Sequence, residues 1–297
     1  MRKLVLIMMM CLAALSSYSC AQSDEPVTQV SGKKILVAYF SWGGTTKRLA
    51  EEIASLTGGD LFSIETVTPY PTDYTPCTEV AKEELEKGIR PPLKDVVKNM
   101  DDYDIVFAGG GADNEQSILA DDLVKYKDNI KEAVNNGVFF LLICGAYQLF
   151  GKYYKGVEGN IIPGLEVFDY YTVANPDRKK RCIGNIVIEA TLNGVETKVI
   201  GFENHGGQTF DISNSFGKVL FGNGNKFGDS EEGFFMSNVI ATYLHGPLLY
   251  KNPELADYII KYCLDRKYDE NIALEPINDE FENLCREQLL NRFLNQN

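Results

Sequence analysis

A cysteine acts as a nucleophile when the backbone presents its thiol at an edge and a base stands within reach. Cys144 has the first of these. It ends the apolar run Phe139-Phe140-Leu141-Leu142-Ile143 and is followed by Gly145, Ala146 and a helical pattern beginning around Tyr147. A strand that turns sharply into a helix exposes the turn residue at the carboxyl edge of a sheet, beside a helix start that favours thiolate. The plain alternative is a small buried cysteine closing a strand. Only 2 histidines occur in the chain, so the base is His205 or His245. His245 follows the run Asn238 to Tyr243 and so projects from a sheet edge; His205 lies in Phe202-Glu203-Asn204-His205-Gly206-Gly207. Gly109-Gly110-Gly111 closes another apolar run, where glycines let backbone N–H groups approach an oxyanion; a tight turn is the simpler use.

The elements that must hold these residues are legible in the hydrophobic pattern. Strands are expected at Ile35–Phe40, Leu61–Val67, Asp104–Ala108, Val138–Ile143 and Asn238–Tyr243. Helices are expected at Lys47–Leu56, Thr78–Lys87, Ser117–Asn135 (interrupted near Tyr126), Pro253–Lys261 and Asp279–Phe293. Strand, loop and helix in alternation make a doubly wound, flavodoxin-like, mostly parallel α/β sheet. From Ile183 to Gly233 short strands with Gly and Asn turns predict an antiparallel extension.

Composition excludes some functions. With 42 acidic against 29 basic residues and a formal net charge of −13, no nucleic-acid-binding surface is expected, because phosphate neutralisation needs clustered cations. The 7 cysteines are irregularly spaced with no CxxC pair, and histidine is scarce, so neither a metal site nor a disulfide framework is expected. Residues 1–20 read as an export signal: Arg2-Lys3, an apolar run from Leu4 to Leu15, then Ser17-Tyr18-Ser19-Cys20. Cys20 directly after Ser19 resembles a lipobox, which would make a lipid anchor at Cys20 the chain's only link to a membrane. An ordinary cleaved signal or an apolar N-terminal helix are the alternatives. Residues 21–32 are polar and read as a tether.

From about residue 101 to the C-terminus the chain resembles the glutaminase subunit of lipid II isoglutaminyl synthase, a class I-type glutamine amidotransferase related to the cobyric-acid-synthase type. The blocks are GGGADNEQ (Gly109–Gln116), LICGAYQLFGKYY (Leu142–Tyr154), GLEVFDYYT (Gly164–Thr172), IGNIVIE (Ile183–Glu189), GFENHGGQT (Gly201–Thr209) and TYLHGPLLYKNPELADY (Thr242–Tyr258). The resemblance implies that Cys144 attacks the side-chain amide of L-glutamine to give a thioester, with His245 as base. Backbone N–H groups of Gly110, Gly111 and Gly145 would hold the oxyanion, and Gln148 and Arg181 the substrate, Arg181 through the α-carboxylate. Ammonia would pass to a Mur-ligase-like, ATP-using partner subunit that amidates the lipid II stem peptide. An acidic residue is usual two positions after the histidine; Pro247 stands there, implying a Cys–His dyad. Ala146 and Gln208 replace a common glycine and arginine.

Residues 33–100 resemble something else, an exported flavodoxin, through KILVAYFSWGGTTKRLAEEIA (Lys34–Ala54) and GGDLFSIETVTPYPTDY (Gly58–Tyr74). There Ser41, Gly43, Gly44, Thr45 and Thr46 would cradle an FMN phosphate at a helix N-terminus. Gly43 and Thr45 depart from the usual Ser/Thr and Asn. The later loops of a flavin pocket are occupied by the Gly109–Gly111 and Cys144 segments, so no cofactor is expected, with FMN as the alternative. Both families begin with a β–α–β unit, which predicts one composite sheet. The lipobox implies an exported lipoprotein and the family's ATP-dependent partner implies the cytoplasm; the two expectations compete.

Overall fold

The computed structural model describes residues 4–8, 36–39, 44, 47–48, 50–51, 54–55, 60–87, 89, 91–92, 94–95, 103–109 and 123–295. The chain forms two compact units, Met1–Phe107 and Ala108–Asn297. The division falls inside the strand that suits either of the two resembled families.

In the first unit, β1 (Leu4–Met8), β2 (Leu36–Tyr39), β3 (Asp60–Ser63) and β4 (Tyr103–Ala108) form a parallel array in the order β4-β1-β2-β3. Part of the apolar run read as the core of an export signal is thus a strand, paired on both sides. Five consecutive apolar residues suit a central parallel strand as well as they suit a signal. The described residues between Lys47 and Ser55 are helical, and Ala50 and Ala54 pack on Val37 of β2. Helix α1 spans Tyr74–Lys87, starting earlier than expected because Asp73 O accepts Cys77 N–H at 3.1 Å.

The second unit is built around β5 (Phe139–Ile143), whose five residues are all buried. Each such side chain contributes about 1.5–3 kcal/mol relative to exposure. Its partner is the parallel strand β15 (Val239–Thr242), with Thr242 opposite Ile143. The short β14 (Phe234–Met236) pairs antiparallel with β15. Helix α2 (Lys127–Asn135) precedes β5, behind a 3-10 turn at Val124–Tyr126 where the interruption was expected. Residues 117–122 of that expected helix lie outside the described residues. Helix α3 (Gly145–Phe150) starts immediately after Cys144. Helix α5 (Pro253–Tyr268), behind the single turn α4 (Leu248–Lys251), covers β5: Phe139 meets Tyr258 and Tyr262 edge-on at 6.3 and 5.5 Å.

Two further sheets, mostly antiparallel, follow β5. One has the order β11-β8-β6-β7, from β6 (Tyr153–Lys155), β7 (Ile161–Pro163), β8 (Tyr171–Ala174) and β11 (Gly207–Phe210). Its β6–β8 pair alone is parallel. The other has the order β10-β9-β12-β13, from β9 (Cys182–Leu192), β10 (Val195–His205), β12 (Gly217–Phe221) and β13 (Glu231–Glu232). The extension expected from Ile183 to Gly233 supplies this second sheet and β11 of the first, while β6, β7 and β8 precede it. Asn193-Gly194 closes the β9–β10 hairpin with φ of 50° and 80°, the positive pair a two-residue hairpin turn requires. The apolar stripe of α6 (Glu280–Leu294) packs Phe293 against Val187 and Ile200 on this sheet.

Candidate active site

Cys144 stands where β5 stops. Its φ of 53° and ψ of −105° place a non-glycine residue in left-handed backbone space, a strain of about 1–3 kcal/mol that surrounding structure must hold. It is held on both sides: Cys144 N–H donates to Thr242 O at 2.9 Å, and Cys144 O accepts Gln148 N–H at 3.0 Å. The first bond ties the elbow to the end of β15, the strand that leads into His245. Two adjacent parallel strands therefore end together, one delivering the thiol and the other the imidazole, at the edge where open α/β sheets bind ligands.

The two histidines differ in kind. His245 is half-buried and pinned through its backbone, with N–H to Phe202 O at 2.9 Å and its own O accepting Phe202 N–H at 3.3 Å. Its Nε2 has no hydrogen-bond partner among the described residues. Burial holds its pKa below the ordinary imidazole value, which keeps the ring neutral. His205 is buried, lies flat on the Tyr243 ring with centroids 3.6 Å apart, and has Nδ1 2.6 Å from Gly207 O. Burial pushes its pKa down to about 4.

Sequence reasoning missed the buried polar network under the elbow. Tyr243 OH accepts Gln148 Nε2–H at 3.1 Å and is 2.7 Å from Thr209 Oγ1, which in turn is 3.0 Å from Thr172 Oγ1. Glu232, fully buried, accepts Tyr243 N–H at 2.6 Å and the Thr242 hydroxyl at 2.8 Å. Burial raises the Glu232 pKa to about 8, so it is mostly protonated at neutral pH. Glu232 thus clamps the segment that anchors Cys144 and carries His245. Nothing in its local sequence, Ser230-Glu231-Glu232-Gly233, marks it apart from a surface acid.

Gln148, expected on the substrate, is only 3% exposed and its amide donates into this network. Through that bond it ties the nucleophile's helix to Tyr243. Arg181 is exposed, and both Nε and Nη2 donate to Asn204 Oδ1, at 3.3 and 2.9 Å. Nη1 makes no hydrogen bond among the described residues, leaving one edge of the guanidinium for a carboxylate. Gly145 follows Cys144 directly as the first residue of α3. Gly110 and Gly111 lie outside the described residues, as do Ser41, Gly43, Thr45 and Thr46. Of the FMN-phosphate set only Gly44 is described; its φ of +80° and the Arg48 N–H bond to its carbonyl at 3.1 Å give a glycine turn opening a helix. The chemistry below uses no flavin.

A strained cysteine elbow on a doubly wound sheet, with a histidine delivered by the neighbouring strand, is the arrangement of a cysteine-dependent amidotransferase. Comparison with known proteins gives the class. The CobB/CobQ-like glutamine amidotransferase domain matches residues 74–253, and the flavodoxin family matches residues 34–111. Two curated relatives carry the name lipid II isoglutaminyl synthase (glutamine-hydrolyzing) subunit GatD. The one from Staphylococcus aureus is 41% identical over 65% of this chain and 76% of its own length. The one from Streptococcus pneumoniae is 40% identical over 62% of this chain and 72% of its own. The chain belongs to the CobB/CobQ-like glutamine amidotransferase family and is a glutamine amidotransferase.

Proposed function

We propose that the chain hydrolyses L-glutamine through a Cys144 thioester and supplies the ammonia to an ATP-using, Mur-ligase-like partner that amidates the stem peptide of lipid II. The observation that carries the reaction is the bond from Cys144 N–H to Thr242 O, which joins the strained elbow to the strand leading into His245. The acceptor and partner rest on the relatives' names.

The neutral His245 ring takes the thiol proton, and the Cys144 thiolate attacks the side-chain amide carbon of glutamine. The carbon–sulfur bond forms as the carbonyl π pair moves to oxygen, where the Gly145 N–H and, as the family resemblance implies, backbone N–H groups of Gly110 and Gly111 supply donors. As the oxyanion collapses, the carbon–nitrogen bond breaks and the imidazolium returns its proton to the leaving nitrogen, releasing ammonia. Water then gives a proton to His245 and attacks the thioester, and glutamate leaves as sulfur recovers that proton. Arg181 takes the α-carboxylate on its unengaged edge.

Pro247 stands in place of an acid, and the backbone pairing with Phe202 fixes the main chain that carries the imidazole. The reacting proton moves between Cys144 and His245 and does not pass to a third residue.

The test is glutamate release by the purified full chain, with and without a Mur-ligase-like partner. Cys144→Ala should lower the rate by at least about 10⁴-fold, to background. Release that persists in Cys144→Ala would overturn the nucleophile, and a partner that neither stimulates the chain nor uses its ammonia would overturn the acceptor.

A further inference from the structure

We propose that Cys182, Glu203 and His205 form a binding site for a thiophilic divalent cation, with zinc the first candidate. The β9–β10 register sets Cys182 directly opposite His205 and Glu203 opposite Gly184. Side chains of directly paired residues share a face, and so do residues two apart on one strand, so all three converge on one side of the hairpin's open end. Their Sγ, carboxylate oxygen and imidazole nitrogen atoms lie within 4.8 Å of one another. All three side chains are buried, at 1%, 1% and 2% exposure.

The second observation is the state of His205. Its Nδ1 is engaged with Gly207 O, so in the neutral ring the lone pair sits on Nε2. That Nε2 is buried with no partner among the described residues, 4.0 Å from Glu203 Oε2. A buried acceptor left unsatisfied is costly, and a backbone carbonyl fixing one ring nitrogen is how metal-ligating histidines are oriented. Glu203 is oriented too. It accepts Asn223 N–H and Nδ2–H on Oε1 at 2.9 and 2.7 Å, and Gly224 N–H on Oε2 at 3.1 Å.

The charge balance favours a divalent ion. One thiolate, one carboxylate and one neutral imidazole compensate two positive charges, leaving a buried site with no net charge. The sulfur, nitrogen and oxygen donor set suits zinc, with water in the remaining tetrahedral position. On binding, the cation replaces the Cys182 thiol proton, which passes to solvent. The site flanks the substrate side of the chemistry above, since Arg181 precedes Cys182 and bonds Asn204 between Glu203 and His205, but no step of that chemistry uses its three side chains. The expectation of no metal rested on sequence spacing, whereas these ligands are gathered by cross-strand register.

The experiment uses the full chain, stripped with chelator and titrated with Co²⁺ and then Zn²⁺. Expected are a thiolate-to-cobalt charge-transfer band that saturates at one equivalent, its loss on zinc addition, and one zinc retained per chain after dialysis. Cys182→Ser should bind zinc at least about a hundredfold more weakly and lose the band, while Cys144→Ala keeps both. Zinc should raise the melting temperature of the unsubstituted chain and not that of Cys182→Ser. A folded chain that retains no zinc overturns the proposal, as does a band unchanged in Cys182→Ser. If that variant fails to fold, His205→Gln decides by affinity: cobalt binding weakened at least about tenfold supports the site, and unchanged affinity overturns it.

Discussion

His245 and Glu232 are both shifted by burial, in directions that make opposite demands on pH. A base must be neutral to take a proton. Burial lowers the His245 pKa from 6.5, so the rate of glutamine hydrolysis should hold as pH falls to 6.5 and decline only below it. A profile of kcat/KM against pH with its acid limb at or above 6.5 would contradict this. For Glu232 the folded pKa is raised, to about 8 from the unfolded value of 4.5. Its contribution to stability is therefore complete below 4.5 and is lost as pH rises through 8. Glutamine is the isostere of the protonated acid and keeps an acceptor for Tyr243 N–H. Urea midpoints should fall for the unsubstituted chain as pH rises from about 5 to about 8 and stay level over that window for Glu232→Gln. An equal fall in both would remove Glu232 from the account.

Among the elements, the hairpin β9–β10 depends on a single side chain of the segment joining α4 to α5. Asn252 is fully buried; its Oδ1 accepts Ile200 N–H at 2.8 Å, and its Nδ2 donates to Ile200 O at 2.9 Å and Leu248 O at 2.7 Å. Asn252→Ala would leave the Ile200 backbone groups without partners in the interior. The expected loss is about 2–4 kcal/mol, read from urea unfolding. Because Phe202, two residues further along β10, anchors His245, activity should fall with stability in this variant. A change under about 0.5 kcal/mol would show that water or a shifted backbone replaces the amide.

For the whole molecule, two matters belong to the first unit: what it binds and where the mature chain starts. A flavodoxin reading requires FMN, and the described part of its phosphate loop is one glycine turn. Native mass spectrometry of the full chain expressed with its own N-terminus should show no bound flavin mass. A species carrying FMN at one equivalent would restore the electron-transfer reading. The same spectrum tests the lipobox: cleavage before Cys20 with added lipid would yield a shorter, heavier-tailed chain, and it would remove β1 from between β2 and β4. An intact N-terminus would instead leave that strand in its sheet and remove the export reading.

The local pattern determined the alternation of strands and helices, the elbow at Cys144 and the strand before His245, because those depend on neighbours in sequence: apolar runs, glycine placement and helical period. Even the choice between histidines was narrowed to two by composition. Tertiary structure decided what depends on register and burial. His205 ends a strand and His245 follows one, yet the first is stacked on Tyr243 in the interior and the second stands at an edge. Glu232 reads as a surface acid and is the clamp under the site, since only the tertiary fold brings its carboxyl to the Tyr243 N–H beyond the end of β15. Gln148 is buried and bonded to Tyr243, a contact its place in the sequence does not show. Cys182, Glu203 and His205 share no motif; an antiparallel register brings them together, and register is fixed by the hairpin turn and the buried face of two long strands.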